Sequence, residues 1–218
     1  MTEGIGRYFK MGHDEAFDGL VEVLSHDAIR NYLGRYGDAV EARVSTALVQ
    51  ATRLLSSGEP GPALTTAVSA IELMIRFLVL RPLLQGAFLS DEWASILSTR
   101  IATGRTSSDR DVLPRALQTF GIDVNVIRTA TGKLLWETLK THVWPNRDGF
   151  VHRYDDVNST TAEAAIECAR SFHNDVVGVI ADTVGFTRGV TGRWAVIRGR
   201  QGSGRTFEAA SPFGESTR

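Results

Sequence analysis

The sequence predicts an all-α fold: an up-and-down bundle of four long helices plus short ones, with a small C-terminal β-hairpin or loose tail. Three observations predict it. Apolar side chains recur with the 3.6-residue helical period through most of residues 1–185. The breaks between periodic stretches are short and rich in Gly, Pro and Ser. Strand-like alternation is confined to the C-terminal end.

Taken in order, residues 14–33 read as one or two short helices, carried by Phe17, Leu20, Val21, Val23 and Leu24 and then Ile29, Tyr32 and Leu33. Gly34 and Gly37 punctuate them. Residues 38–56 form a clearer helix, with Val40, Val44, Leu48, Ala51, Leu54 and Leu55 on one stripe. Ser56 to Pro62 is a tight break, and a second long helix runs from Ala63 to Leu84, so apolar in its second half that it must be buried on most sides. The pair reads as an antiparallel helical hairpin. Residues 91–101 are a short helix with Ser90 or Asp91 as N-cap, Thr103 to Asp109 a loop, and residues 110–120 another short helix with Pro114 near its first turn. Residues 123–143 read as a third long helix from Val126, Ile127, Ala130, Leu134, Leu135, Leu139 and Val143. Gly132 weakens it, and Trp144-Pro145-Asn146 interrupts it. Residues 159–184 are the fourth, opened by Ser159-Thr160-Thr161 with Glu163 as capping partner. Arg193–Arg198 alternates like a strand, Gln201–Gly204 is turn chemistry, and Arg205–Ala209 is the expected returning strand. The organisation is thus an N-terminal helical extension over 1–37, a helical domain over 38–185 and a basic tail over 186–218.

The chain has 218 residues with 24 basic and 25 acidic side chains, a net charge of −1. That excludes an all-over basic nucleic-acid coat but not a local patch. Only Lys10, Lys133 and Lys140 are lysine, so 21 of the 24 basic residues are arginine. Codon bias explains such a preference; so does phosphate binding, which the planar guanidinium fork suits. Charge is also uneven, because residues 186–218 carry a net +4 and the helical body therefore −5. The tail could meet RNA through Arg193, Arg198 and Arg200. The single cysteine, Cys168, lies in a helical pattern and reads as a small core residue, and no internal disulfide or multi-Cys metal site can form. No HExxH, His–Cys cluster or carboxylate pair is present, so neither a metal nor a cofactor is expected. Glu72, Arg76, Arg81 and Pro82 break the most apolar run, Ile71–Leu84, so no membrane span is expected. With no signal-peptide pattern at the start, a cytoplasmic location is the expectation.

The segment that carries chemistry is Trp144 to Tyr154, WPNRDGFVHRY. Arg147 and His152 are separated by four residues, and Tyr154 follows two later. Histidine can accept and return a proton near neutral pH, and arginine can neutralise charge on a pentacoordinate phosphorus. Acting together on RNA, with the 2′-hydroxyl as nucleophile, they require no metal. The spacing alone is expected about 0.5 times by chance in this composition, and with the added tyrosine roughly 0.01 times, so the extended pattern is the informative one. A second Arg-to-His pair, Arg7 and His13, lacks the tyrosine and is noise. On a straight helix Arg147 and His152 point about 140° apart. Either Pro145-Asn146-Arg147 is not yet helical, or a second copy of the chain completes the site. Asp148 shares a helix face with His152 and could orient its imidazole, while Tyr154 shares one with Arg147, so that blocking Tyr154 would close the cleft.

This segment resembles the Arg-x(4–6)-His signature of the HEPN superfamily, and its Arg-x4-His-x-Tyr form resembles the HEPN toxins paired with MNT-type nucleotidyltransferase antitoxins. The stretch Ala67–Arg76 is similar to the second helix of many HEPN domains, so the resemblance covers about residues 38–184. It implies a homodimer of helical bundles with the motifs facing across a cleft, acting as a metal-independent endoribonuclease in toxin–antitoxin or antiphage defence. It implies catalytic roles for Arg147 and His152. It places Asp148 at a polar position where Asn is more usual, and Tyr154 where the antitoxin attaches AMP. It gives no counterpart for residues 1–37 and 186–218. A non-catalytic dimeric helical module, binding RNA, a nucleotide or a partner protein, is the alternative. The first 50 residues carry no helix-turn-helix with a basic recognition helix, which speaks against a DNA-binding regulator.

Glu72 and Arg76, four apart, read as an intrahelical ion pair, or Glu72 as a supporting residue near the cleft that tunes His152. Asn146 and Asp148 flank Arg147 as supporting residues, and Arg153 is a candidate RNA contact. His142 reads as a surface or cap residue, and His173 as a hydrogen-bonded structural one; His13 and His26 carry no partner pattern. Trp136 and Trp144 read as core or dimer-contact aromatics, with Trp144 able to stack a base.

Overall fold

The computed structural model describes residues 3–86, 91–103, 107–118, 120–188 and 194–196. The fold is all-α. Six helices carry it: α1 (Glu3–Ser56), α2 (Pro60–Gly86), α3 (Asp91–Thr103), α4 (Ser107–Gln118), α5 (Leu135 to Arg153) and α6 (Ser159 to Thr183). Four of them are long, and each of α2, α5 and α6 contains a widened π turn, at Ile75–Leu80, Leu139–Val143 and Phe172–Val177.

α1 runs unbroken through Gly34 and Gly37, where the sequence suggested stops. The reason is a single buried stripe, Ile29, Leu33, Val40, Val44 and Ala51, that keeps the helical period across both glycines. Each glycine costs a helix about 1 kcal/mol, less than burying several aliphatic side chains returns. The turn Ser57-Gly58-Glu59 sends the chain back as α2, whose Ala63, Leu64, Ala67, Val68, Ile71 and Met74 are wholly buried. α2 is the central helix, packed against α1, α5 and α6. It is long and apolar enough to cross a membrane by length and composition, but 67% of its most apolar window is buried inside the protein. Its hydrophobicity is that of a core helix.

The third long helix is displaced from where periodicity put it. Residues 123–134 are a loop, closed by an isolated bridge between Arg128 and Leu134. The Thr129 N–H donates to Lys133 O at 2.8 Å and the Leu135 N–H to Ile127 O at 2.8 Å. Asp123 accepts from the Asn125 N–H at 3.0 Å, Gly132 adopts φ +82°, and Val126 is 67% exposed, so the apparent apolar stripe buries little. Valine, isoleucine and threonine are weak helix formers, and side-chain caps such as Asp123 compete with a helix start. Glu167 of α6 pins this loop, accepting from the Thr131 N–H and, at 3.0 Å, from its hydroxyl. Burial pushes the Glu167 carboxyl up, but the hydrogen bonds from Thr131 and Thr129 and the charge of Lys133 outweigh it, and the pKa is lowered.

Helix α5 starts at Leu135 and then runs straight through Trp144-Pro145-Asn146, which does not interrupt it. Proline lacks the N–H that an ordinary helical turn requires. Here the widened turn Leu139–Val143 precedes it, and Pro145 falls in the first turn of the segment Trp144–Arg153. α6 is capped by Asn158, whose side chain accepts from the Thr161 N–H at 2.8 Å, rather than by Ser159 to Thr161 with Glu163. Cys168 is buried in α6, and its thiol is pushed up to about 12 by burial and then by Glu167, with Lys133 opposing; it is an unreactive core residue. Past α6, β1 (Phe186–Arg188) pairs antiparallel with β2 (Trp194–Val196), Phe186 opposite Val196. The strand at 194–196 therefore pairs backward along the chain; the proposed partner at 205–209 lies outside the described residues.

Candidate functional site

The motif occupies the last two turns of α5, against the N-terminal half of α2. Two glycines make the fit. A side chain at Gly61 of α2 would overlap the Phe150 ring, so the two helices approach closely there. A side chain at Gly149 would strike Asp155 and Arg153, which fold back over the helix end. The carbonyl of Gly149 accepts from the N–H groups of both Tyr154 and Asp155, the second at 3.3 Å. Tyr154 is thereby the C-cap, in the left-handed conformation at φ 59°. Non-glycine residues adopt it at a cost of roughly 1 kcal/mol.

Arg147 sits between two carboxylates. Its Nη1 donates to Asp148 Oδ1 at 3.0 Å, and its Nη2 lies 3.6 Å from Glu72 Oε1 of α2. Its Nε is buried without a hydrogen-bond partner. Glu72 thus reaches Arg147 across the helix interface. The guanidinium of Arg76 lies over the Phe77 ring, 4.7 Å from its centroid.

His152 is exposed on the last turn of α5, and Tyr154 is 91% exposed. Because Pro145, Asn146 and Arg147 are already helical, Arg147 and His152 diverge by about 140° on one helix. That removes the first of the two ways they could meet, the one within a single chain. Tyr154 does not continue the helix, so it does not share a helical face with Arg147 as the seven-residue spacing suggested. Asn146 donates to the His142 carbonyl at 2.7 Å and stands 3.4 Å from His142 Nδ1. His142, read from sequence as a surface or cap residue, therefore abuts the motif one turn upstream; the four-residue spacing to Asn146 was the available signal. Arg153 is exposed and pairs with Asp155 at 2.7 Å. Arg193, Arg198 and Arg200 lie outside the described residues.

Trp136 and Trp144 are 2% and 8% exposed and meet edge to face at 5.3 Å, so Trp144 is core and not a base-stacking platform. His173 bonds to the buried Glu41 of α1, tying α6 to α1 as a structural histidine. Among the described residues no group of three or more His, Cys, Asp or Glu side chains is placed to hold a metal ion. Away from the motif, an open groove of about 640 Å³ between α1 and α6 is lined by Leu48, Thr52, Arg53, Ser56 and Arg170. Its arginines are scattered in sequence and gave no pattern to find. No family model, no curated protein and no solved structure matches this chain.

Proposed function

We propose that the chain is a metal-independent endoribonuclease of the HEPN type, working as a cytoplasmic homodimer in a toxin–antitoxin or antiphage role. The observation that carries this reading is the Arg147-x4-His152-x-Tyr154 segment on an exposed helix end, with the Arg147 guanidinium held between Glu72 and Asp148. Since Arg147 and His152 diverge on one helix, the reading requires a second copy, with each phosphate meeting Arg147 of one copy and His152 of the other. His152 takes the proton of the RNA 2′-hydroxyl as its oxygen attacks phosphorus. Arg147 stabilises the charge on the phosphoryl oxygens. The bond to the 5′-oxygen breaks, that oxygen takes a proton, and the products are a 2′,3′-cyclic phosphate and a 5′-hydroxyl end. The exposed Tyr154 is where an antitoxin, such as a nucleotidyltransferase partner, would reach the site.

The test is cleavage of mixed RNA in chelator by wild type, Arg147→Ala and His152→Ala, with end-group analysis of the products. Cyclic-phosphate ends from wild type and their loss in both variants is the expected result; variants that cleave like wild type refute the assignment. One observation favours the non-catalytic alternative: two carboxylates already neutralise Arg147. A dimer or hetero-complex seen by light scattering, with no cleavage under any condition, is the result that reading expects.

A further inference from the structure

Arg76 and Arg81 are five residues apart, and on an ordinary helix they would point about 140° apart. The widened turn Ile75–Leu80 changes that. The Arg81 N–H donates to the Arg76 carbonyl, a hydrogen bond spanning five residues, and this stacks the two positions on one side of α2. Both guanidiniums gather at the Phe77 ring, 4.7 Å and 5.9 Å from its centroid, and Arg81 also lies 5.7 Å from the Tyr32 ring of α1. The Nε of each is buried and makes no hydrogen bond. Among the described residues no carboxylate pairs with either side chain. Burial lowers the Arg76 pKa, and the charge of Arg81 lowers it further, which marks two like charges brought together in a body whose net charge is −5. A π turn is less favourable than an α turn, and such turns concentrate at functional sites.

We propose that Arg76 and Arg81 form a phosphate-binding site, in which two half-buried guanidinium forks, fixed from behind by Phe77 and Tyr32, close on the oxygens of one phosphate group carried by a nucleotide or an RNA strand. A phosphate dianion supplies the charge the pair lacks, and its oxygens accept from the planar forks. Aromatic backing holds each guanidinium by cation–π contact without consuming its in-plane donors. The proposal does not use Arg147 or His152, so it stands whether or not the chain cleaves RNA.

The experiment is calorimetric titration of the full chain with sodium pyrophosphate at constant ionic strength. Wild type is expected to bind at one saturable site per chain. Arg76→Gln/Arg81→Gln should weaken that binding about tenfold or more, and Arg81→Lys should weaken it less because an ammonium keeps the charge but not the fork. Arg81→Lys also serves if the double variant loses its helical circular dichroism. A second arm follows a fluorescent oligouridylate by anisotropy. An equal loss of oligouridylate binding in the double variant assigns the phosphate to RNA; loss of pyrophosphate binding alone assigns it to a small phosphorylated compound. Absence of saturable pyrophosphate binding by wild type overturns the proposal, as does equal binding by the Arg76→Gln/Arg81→Gln chain.

Discussion

Arg147 and the Arg76–Arg81 pair meet neighbouring turns of α2 and are held in opposite ways. Arg147 is answered by carboxylates, Glu72 across the helix interface and Asp148 beside it. Arg76 and Arg81 are backed by rings, and their like charges repel. An arginine between carboxylates is a strut whose removal strands two negative charges; one backed by aromatics keeps its charge available for a ligand. In a chain with 21 arginines, the count says nothing about which is which, and the neighbours say nearly everything.

The largest expected effect tests the strut as chemistry. If the chain is the ribonuclease proposed, removing the imidazole in His152→Ala should lower RNA cleavage by about 10²-fold or more, and Arg147→Ala should match it, read as initial rates on a labelled RNA. Next, Gly61→Ala drives a methyl group into the Phe150 ring and pushes α5 off α2. It should cost about 1–3 kcal/mol in urea unfolding and loosen the Arg147–Glu72 pair, while pyrophosphate binding at Arg76 and Arg81 persists. Smaller again, Arg147→Ala should lower stability by about 1–2 kcal/mol, because it leaves Glu72 and Asp148 without their cation. Arg81→Gln should be neutral within about 0.5 kcal/mol or stabilising, because it relieves repulsion; equal losses in the two variants would erase the contrast. The smallest effect belongs to a carboxylate held with no arginine at all. The Glu167 pKa is lowered in the folded chain, so its contribution is complete above the unfolded value of about 4.3 and fades as pH falls through the folded one. Glu167→Gln should flatten that acid limb in melting curves recorded across pH.

The helical class, the α1–α2 hairpin and the last long helix were legible because burial imposes a period on sequence. Val40, Val44 and Ala51 and then Ala63, Leu64 and Ala67 all carry it, and all are buried. The loop at 123–134 was illegible to the same reasoning, since Val126 and Ile127 mimic the period while a hydrogen-bonded turn and Glu167 decide the conformation. Gly34, Gly37 and Pro145 misled in the other direction, as local breakers overruled by packing and by a widened turn. At the site, Arg147, Asp148 and Glu72 could be named from residue type and spacing, but not that both carboxylates pair with Arg147. The left-handed Tyr154 and the stacking of Arg76 on Arg81 could not, because both depend on how a helix ends or widens, which one sequence does not encode in residue type.

The widened turn in α2 also bears on which length changes this fold can absorb. It behaves as one residue more than an ordinary helix would hold, with the surplus taken up between Ile75 and Leu80. Deleting one residue there lets the turn tighten and leaves both flanks in phase. Deleting one between Ala63 and Met74 instead swings everything downstream by about 100°, carrying buried Phe77 and Leu78 off the core. Tolerance to shortening should therefore be sharply local along a helix that otherwise looks uniform, with the first kind of deletion keeping a cooperative melt and the second losing it.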